Sequence, residues 1–137
     1  MKGGPIPVFE WIAAYSVNVK RCDDDHQRLF ELIRELRSAI LRGKSAEVMD
    51  KIVEELEDYS VFHFTAEEAL LEAANYPLLE AHRTEHRKFI DRLAKFRREG
   101  IAGQPYEVLN FMNRWLVHHI KTIDKQYSDY LNATGVF

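Results

Sequence analysis

Five of the six histidines in this chain, His26, His63, His82, His86 and His119, stand at positions whose helical neighbours are leucine, isoleucine and phenylalanine. His63 and Glu67 are four residues apart, as are His82 and His86. On an α-helix of about 3.6 residues per turn each pair leaves one face, about a turn apart, which is a metal-ligand spacing. A single histidine on an apolar face is ordinarily a hydrogen-bonded core residue. Five would each need a buried partner, at about 1–3 kcal/mol for every polar group left unpaired. A metal satisfies several at once: imidazole suits iron, zinc, copper and nickel, and its second ring nitrogen is free to donate to an outer acceptor. Glu67 and Asp124 are the acids at or beside the same stripes, and a buried carboxylate needs a compensating charge. Five imidazoles and two carboxylates exceed what one ion with an open position can use, and predict two cations bridged by the acids.

Other groups near these positions have plainer readings. His119 and Asp124 are five apart, about 140° on a regular helix, so they straddle a binuclear site only with the help of a local helix irregularity. Glu68 follows Glu67, and only the four-residue step from His63 favours Glu67 over it as the inward acid. Asp23, Asp24 and Asp25 read as a helix N-cap and favourable first-turn charge. His118 points about 100° from His119 and reads as exposed. Cys22, the only cysteine, excludes an internal disulfide and a cysteine-based zinc site, and reads as a buried or incidental thiol.

Four amphipathic stretches must position these residues. The first runs from Asp23 or Asp24 to Arg42 and stops at Gly43, with Leu29, Phe30, Ile33, Leu36 and Ile40 as its stripe. The second runs from a Ser45 cap to Ala74, where Asn75-Tyr76-Pro77 breaks it. The third, with Leu78, Leu79, Phe89, Ile90, Leu93 and Phe96 inward, ends near Glu99 before Gly100. Its outer face is densely basic and reads as a solvated face. The fourth opens at Pro105 and carries Val108, Leu109, Met112, Trp115, Leu116, Ile120, Ile123, Tyr127 and Leu131. Short links favour an all-α, up-down-up-down antiparallel four-helix bundle, one domain over 1–137. An irregular N-terminal arm over 1–22, with Phe9, Trp11, Ile12 and Tyr15 as anchors, lies across the bundle of 23–131, and a tail follows over 132–137.

A net charge of -3 with both signs scattered excludes a nucleic-acid footprint. No apolar run approaches the roughly 20 residues that span a bilayer, and no signal-peptide pattern opens the chain, which predicts no membrane insertion and a cytoplasmic protein.

Over nearly its whole length the sequence resembles the hemerythrins, in particular the bacterial single-domain forms. The match includes Trp11 and Tyr15, Asp23 with His26 and Leu29-Phe30, His63-Phe64 with Glu67-Glu68, Tyr76-Pro77 then His82, His86 and Phe89, and Trp115-Leu116 with His119-Ile120 and Asp124. All seven ligand positions of the family pattern hold the expected residue type. The resemblance implies that His82, His86 and His119 hold one iron and His26 and His63 the other. Glu67, Asp124 and an oxo or hydroxo group from solvent would then bridge the two Fe2+/Fe3+ ions. It implies reversible dioxygen binding by a carrier, store or delivery protein, not an enzyme. Leu29 and Leu116, a turn or less from His26 and His119, are the candidates for the oxygen-pocket wall, with plain core packing as the alternative. The chain departs from the family's common glutamine at Asp25, isoleucine at Cys22, glycine at Asn18 and methionine at Leu71, none of them a ligand, though Asp25 adds an acid near His26 that could alter the electrostatics of the second iron or simply cap the helix. The competing readings are an oxygen, redox or iron sensor, and a di-iron enzyme acting on peroxide or nitric oxide. Oxygen-activating bundles of the ferritin type use Glu-x-x-His pairs, absent among these candidates.

Overall fold

A computed structural model describes residues 10–137. Phe9 of the expected arm lies outside them. Four long helices, α1 (Lys20–Leu41), α2 (Ala46–Ala73), α3 (Leu79–Glu99) and α4 (Pro105–His118), form the antiparallel bundle, each packed against the next and α4 against α1. A π-helical turn (His119–Ile123) and a 3-10 turn (Asp124–Tyr127) prolong α4 before a short α5 (Ser128–Ala133). No strand occurs among the described residues, and none of their helices is long and apolar enough to cross a membrane.

The connections are short because helix ends are closed locally. At the end of α1, Gly43 takes φ +64°, Gly43 N–H donates to the Ile40 carbonyl and Lys44 N–H to that of Ala39. At the end of α2, Asn75 takes φ +55°, with Asn75 N–H on the Glu72 carbonyl and Tyr76 N–H on that of Leu71. Both are Schellman closures, which need a residue that tolerates the left-handed region and which satisfy carbonyls the helix leaves unpaired. Ser45 caps α2 as the sequence predicts, accepting from Val48 N–H at 3.3 Å.

The opposite end of the first helix differs from its sequence reading. α1 begins at Lys20 after Val19, with no side-chain cap, so none of the three aspartates is its N-cap. Asp23 instead ties down the preceding segment, accepting from Ser16 Oγ at 2.6 Å and Val17 N–H at 2.8 Å. That segment is anchored from the other side as well: Ser128 Oγ donates to the Val17 carbonyl and Asn132 Nδ2 to that of Asn18 at 3.0 Å. Val17 and Val19 are fully buried, and Tyr15 packs edge-on against Phe30. Ile12, expected as an anchor, is half exposed, as is Leu78, expected on the inner face of α3. The basic face of α3 is occupied by ion pairs, Arg83 with Glu68, Glu72 and Glu80 and Arg97 with Glu54 and Glu57.

One core of Leu32, Leu36, Val53, Leu56, Leu93, Val108 and Met112 fills the half of the bundle away from the histidines. The antiparallel order brings the starts of α1 and α3 to the ends of α2 and α4, and that shared end is where all five inward histidines fall. Asn18, at φ +58°, makes the turn from the arm into α1. Asn18→Val should cost about 1–2 kcal/mol, because a β-branched residue resists that region, whereas Asn18→Gly should melt within about 0.5 kcal/mol of the parent in urea unfolding.

Candidate metal centre

The buried polar groups of the molecule are concentrated in one place. His26 comes from the second turn of α1, His63 and Glu67 from the second half of α2, His82 and His86 from the start of α3, and His119 and Asp124 from the π and 3-10 turns that prolong α4. All seven are at most 2% exposed. The structure brings together every candidate ligand read from the sequence.

Glu67 is the hub. Its Oε1 lies 2.8 Å from His82 Nε2 and 3.0 Å from His86 Nε2, and its Oε2 lies 3.3 Å from His63 Nε2 and 3.8 Å from His26 Nε2. Asp124 spans the same space, Oδ1 facing His119 Nε2 at 2.9 Å and His82 Nε2 at 3.0 Å, Oδ2 facing His26 Nε2 at 3.1 Å. His119 and Asp124 meet because the helix widens between them: the Asp124 N–H reaches back five residues to the His119 carbonyl, the signature of a π turn. The irregularity that the i,i+5 spacing requires is therefore present.

Proximity has satisfied only part of the cluster, such as His82 Nε2 against Glu67 Oε1. Both ring nitrogens of His26 and His119, Nε2 of His63 and His86, and both oxygens of Asp124 are buried without an aligned partner. These are eight of the eleven such side-chain atoms among the described residues. Buried polar groups are ordinarily paired; six of these eight atoms, the four Nε2 nitrogens and the two Asp124 oxygens, face one another inside the cluster, which fits a missing cation. The donor atoms fall into two sets, each within 4.8 Å of one another: Glu67, His82, His86, His119 and Asp124, and His26, His63 and Glu67. Each set could hold one cation, with Glu67 common to both.

The electrostatics agree. Burial opposes charge on every group here, yet the surrounding imidazoles hold the Glu67 and Asp124 carboxyls well below the usual carboxylate range. Burial likewise works against a charged His63, but Glu67, Asp25 and Asp124 outweigh it and push its pKa up to about 9. His82, beside Asp124 and Glu67, is pushed up to about 10. The cluster demands positive charge, which protons supply when no metal does.

Three further groups complete the site; of these the sequence reading anticipated only that Asp25 could bear on the electrostatics of the centre. Asp25 is buried and accepts from His63 Nδ1 at 2.9 Å and from Tyr59 Oη at 2.8 Å; it does not cap α1. Glu68, left open as a solvent-facing acid, is partly buried and accepts from His86 Nδ1 at 2.8 Å. Tyr127, fully buried, donates its hydroxyl to Glu67 Oε2 at 2.8 Å. Its placement three residues after Asp124 was the available signal, whereas nothing local links Asp25 to a histidine 38 positions away. Aromatic rings wall the cluster: Phe64 stacks on His86 with centroids 3.9 Å apart, and Trp115 on His119 at 4.3 Å. Leu29 and Leu116 line a small apolar cavity that borders Phe64 and Trp115. His118 is exposed, as read, and burial among carboxylates pushes the Cys22 thiol up, away from reactive thiolate character.

Residues 17–131 match the family described as the hemerythrin HHE cation binding domain. The chain belongs to the hemerythrin family. Among relatives of this hemerythrin, the bacteriohemerythrin of Methylococcus capsulatus is 32% identical over 127 residues, which cover 90% of this chain and 96% of that one. The bacteriohemerythrin of Stenotrophomonas maltophilia is 33% identical over 128 residues, 90% of this chain and 81% of the relative. The myohemerythrin of Theromyzon tessulatum is 29% identical over 119 residues, 87% of this chain and 90% of the relative. A solved wild-type hemerythrin structure superposes with a TM-score of 0.83 at 30% identity, covering 91% of this chain and 98% of that one.

The raised histidine pKa values give the metal-free protein a characteristic pH response. Folded His63 and His82 bind protons more tightly than their ordinary value of 6.5, so their stabilisation is complete below about pH 6.5 and is lost as pH rises through about 9 and 10. Chelator-treated protein should lose urea stability across that window. Metal-loaded protein, its protons displaced by cations, should be nearly flat there.

Proposed function

We propose that this hemerythrin holds two iron ions in the seven-residue cluster and binds dioxygen reversibly there, without net turnover. The observation that carries the reading is the set of six unpaired atoms, four Nε2 nitrogens and both Asp124 oxygens, that face one another inside one end of the bundle. Only cations relieve five imidazoles and two carboxylates together, and imidazole with carboxylate is a donor set suited to iron. Two irons, when bound, supply the electrons that dioxygen takes up on binding.

The chain's own residues do the rest. His82, His86 and His119 would hold one ion and His26 and His63 the other, with Glu67 and Asp124 reaching both. Tyr127 orients Glu67 by donating to Oε2, which leaves Oε1 toward His82 and His86. Burial raises the Tyr127 phenol well above its ordinary value, and Glu67 and Asp124 raise it further, so it stays a neutral donor. Phe64, Trp115, Leu29 and Leu116 exclude water, which favours holding a small apolar gas by limiting solvent exchange and proton delivery at the site. The proposed carrier role is further supported by relatives named bacteriohemerythrin and myohemerythrin, names that denote no enzymatic activity.

Iron analysis of protein expressed under iron-replete conditions should give about two ions per chain, one for each donor set. The optical spectrum of the anaerobically reduced protein should gain charge-transfer bands on admission of air and lose them on its removal. Steady oxygen consumption with a reductant would overturn the carrier reading in favour of an enzyme, and zinc as the sole bound metal would overturn the iron assignment. Leu29→Ala should raise the autoxidation rate of the oxygenated form by about tenfold, since opening the apolar wall admits water. An unchanged rate would return Leu29 to plain core packing.

A further inference from the structure

Two of the cluster's imidazoles have their outer nitrogen anchored to a carboxylate. His63 Nδ1 is 2.9 Å from Asp25 Oδ2 and His86 Nδ1 is 2.8 Å from Glu68 Oε2, whereas neither ring nitrogen of His26 or His119 has a hydrogen-bond partner. The two anchored histidines fall one in each donor set. Each anchoring carboxylate also faces a guanidinium: Arg21 Nε lies 3.4 Å from Asp25 Oδ2, and Arg83 Nε lies 3.3 Å from Glu68 Oε1. The two halves of the centre thus repeat one arrangement, arginine to carboxylate to imidazole.

An ionised carboxylate can only accept a hydrogen bond. Asp25 therefore keeps a His63 proton on Nδ1, so Nε2, which faces Glu67 inside the cluster, is the nitrogen whose proton a cation displaces. The charge adds to this effect, because a carboxylate on the outer nitrogen makes the imidazole a stronger donor. Arg21 is half exposed and screened by solvent, while the Asp25 side chain is only 7% exposed, so little of its charge is lost to the arginine.

We propose that Asp25 is the positioning residue of the His26–His63–Glu67 half, fixing the His63 tautomer and tightening cation binding there through its charge, as Glu68 does through His86 in the other half. The proposal rests on the two-cation reading above. Tyr59 is the modulator: its hydroxyl takes up the second Asp25 oxygen and draws density away from His63.

The test is an anaerobic titration of the metal-free full chain with Co2+, followed by its optical bands, with circular dichroism melts to confirm the fold. Wild type should take up two ions. Asp25→Asn, which keeps an acceptor oxygen but removes the charge, should weaken one binding step by about 10–100-fold and leave the other within about twofold, and Glu68→Gln should weaken the other step instead. Tyr59→Phe frees Asp25 for His63 and should leave its step unchanged or tighter, whereas a packing role would weaken it. In the metal-free protein a slowly exchanging His63 Nδ1–H should be visible by 15N NMR and vanish in Asp25→Ala. Binding of both ions by a folded Asp25→Asn within about twofold of wild type overturns the proposal and leaves the two-cation reading intact. Fewer than two ions in wild type overturns that reading, and the NMR signal then decides whether Asp25 governs His63. If Asp25→Asn does not fold, weakening by Tyr59→Phe of the step that Glu68→Gln spares overturns the proposal.

Discussion

Glu67 is the constraint on which the rest of the molecule turns. One carboxylate, fully buried, faces imidazoles from α1, α2 and α3 and a phenol from beyond α4. An isolated buried charge is strongly unfavourable, and a buried ion set is tolerated only where its geometry is well made. The four helices must therefore meet at this end with little freedom to rotate or slide. The apolar half of the bundle has no such requirement, since leucine and valine pack acceptably in several rotations. The polar end specifies the alignment that the apolar end stabilises.

Several local features follow from that alignment. His119 and Asp124 must point into one volume from five residues apart, and the π turn between them makes that possible. The chain entering α1 must stay close, because Val17 and Val19 close the core near His26; Asp23, Ser128 and Asn132 each hold part of that segment. The turn at Asn75 delivers Tyr76 into edge-on ring contacts with Tyr127 and Tyr130, and Tyr130 donates to the carbonyls of Ala74 and Asn75. A helix closure thereby becomes part of the packing behind Tyr127, the donor to Glu67.

The bundle and its seven inward polar residues were legible in the sequence because both rest on periodicity. A histidine on a leucine stripe declares its face, and the i,i+4 pairs declare their partners. The aspartate run misled for a physical reason: aspartate before an apolar stripe is a good N-cap, and nothing in the local sequence shows that the helix already began at Lys20. That Asp25 meets His63 and Glu68 meets His86 escaped, because both contacts depend on how neighbouring helices are rotated against each other, which no single helix encodes. The arm anchors and the α3 stripe were likewise drawn too generously, at Ile12 and Leu78 respectively, whose side chains are about half exposed.

The two donor sets are unequal, and the inequality bears on where a small ligand could enter the proposed centre. One set brings five protein groups and the other three, with Glu67 counted in both. Two histidines and one carboxylate are the donor set that non-haem ferrous sites use when they keep positions open. Asp124 Oδ2, 3.1 Å from His26 Nε2, adds at most one more group on that side. Under the proposed reading the His26–His63 half is the one left coordinatively incomplete. It is also the half whose outer histidine leans on Asp25, so the charge argued to act there acts on the ion with room for a ligand.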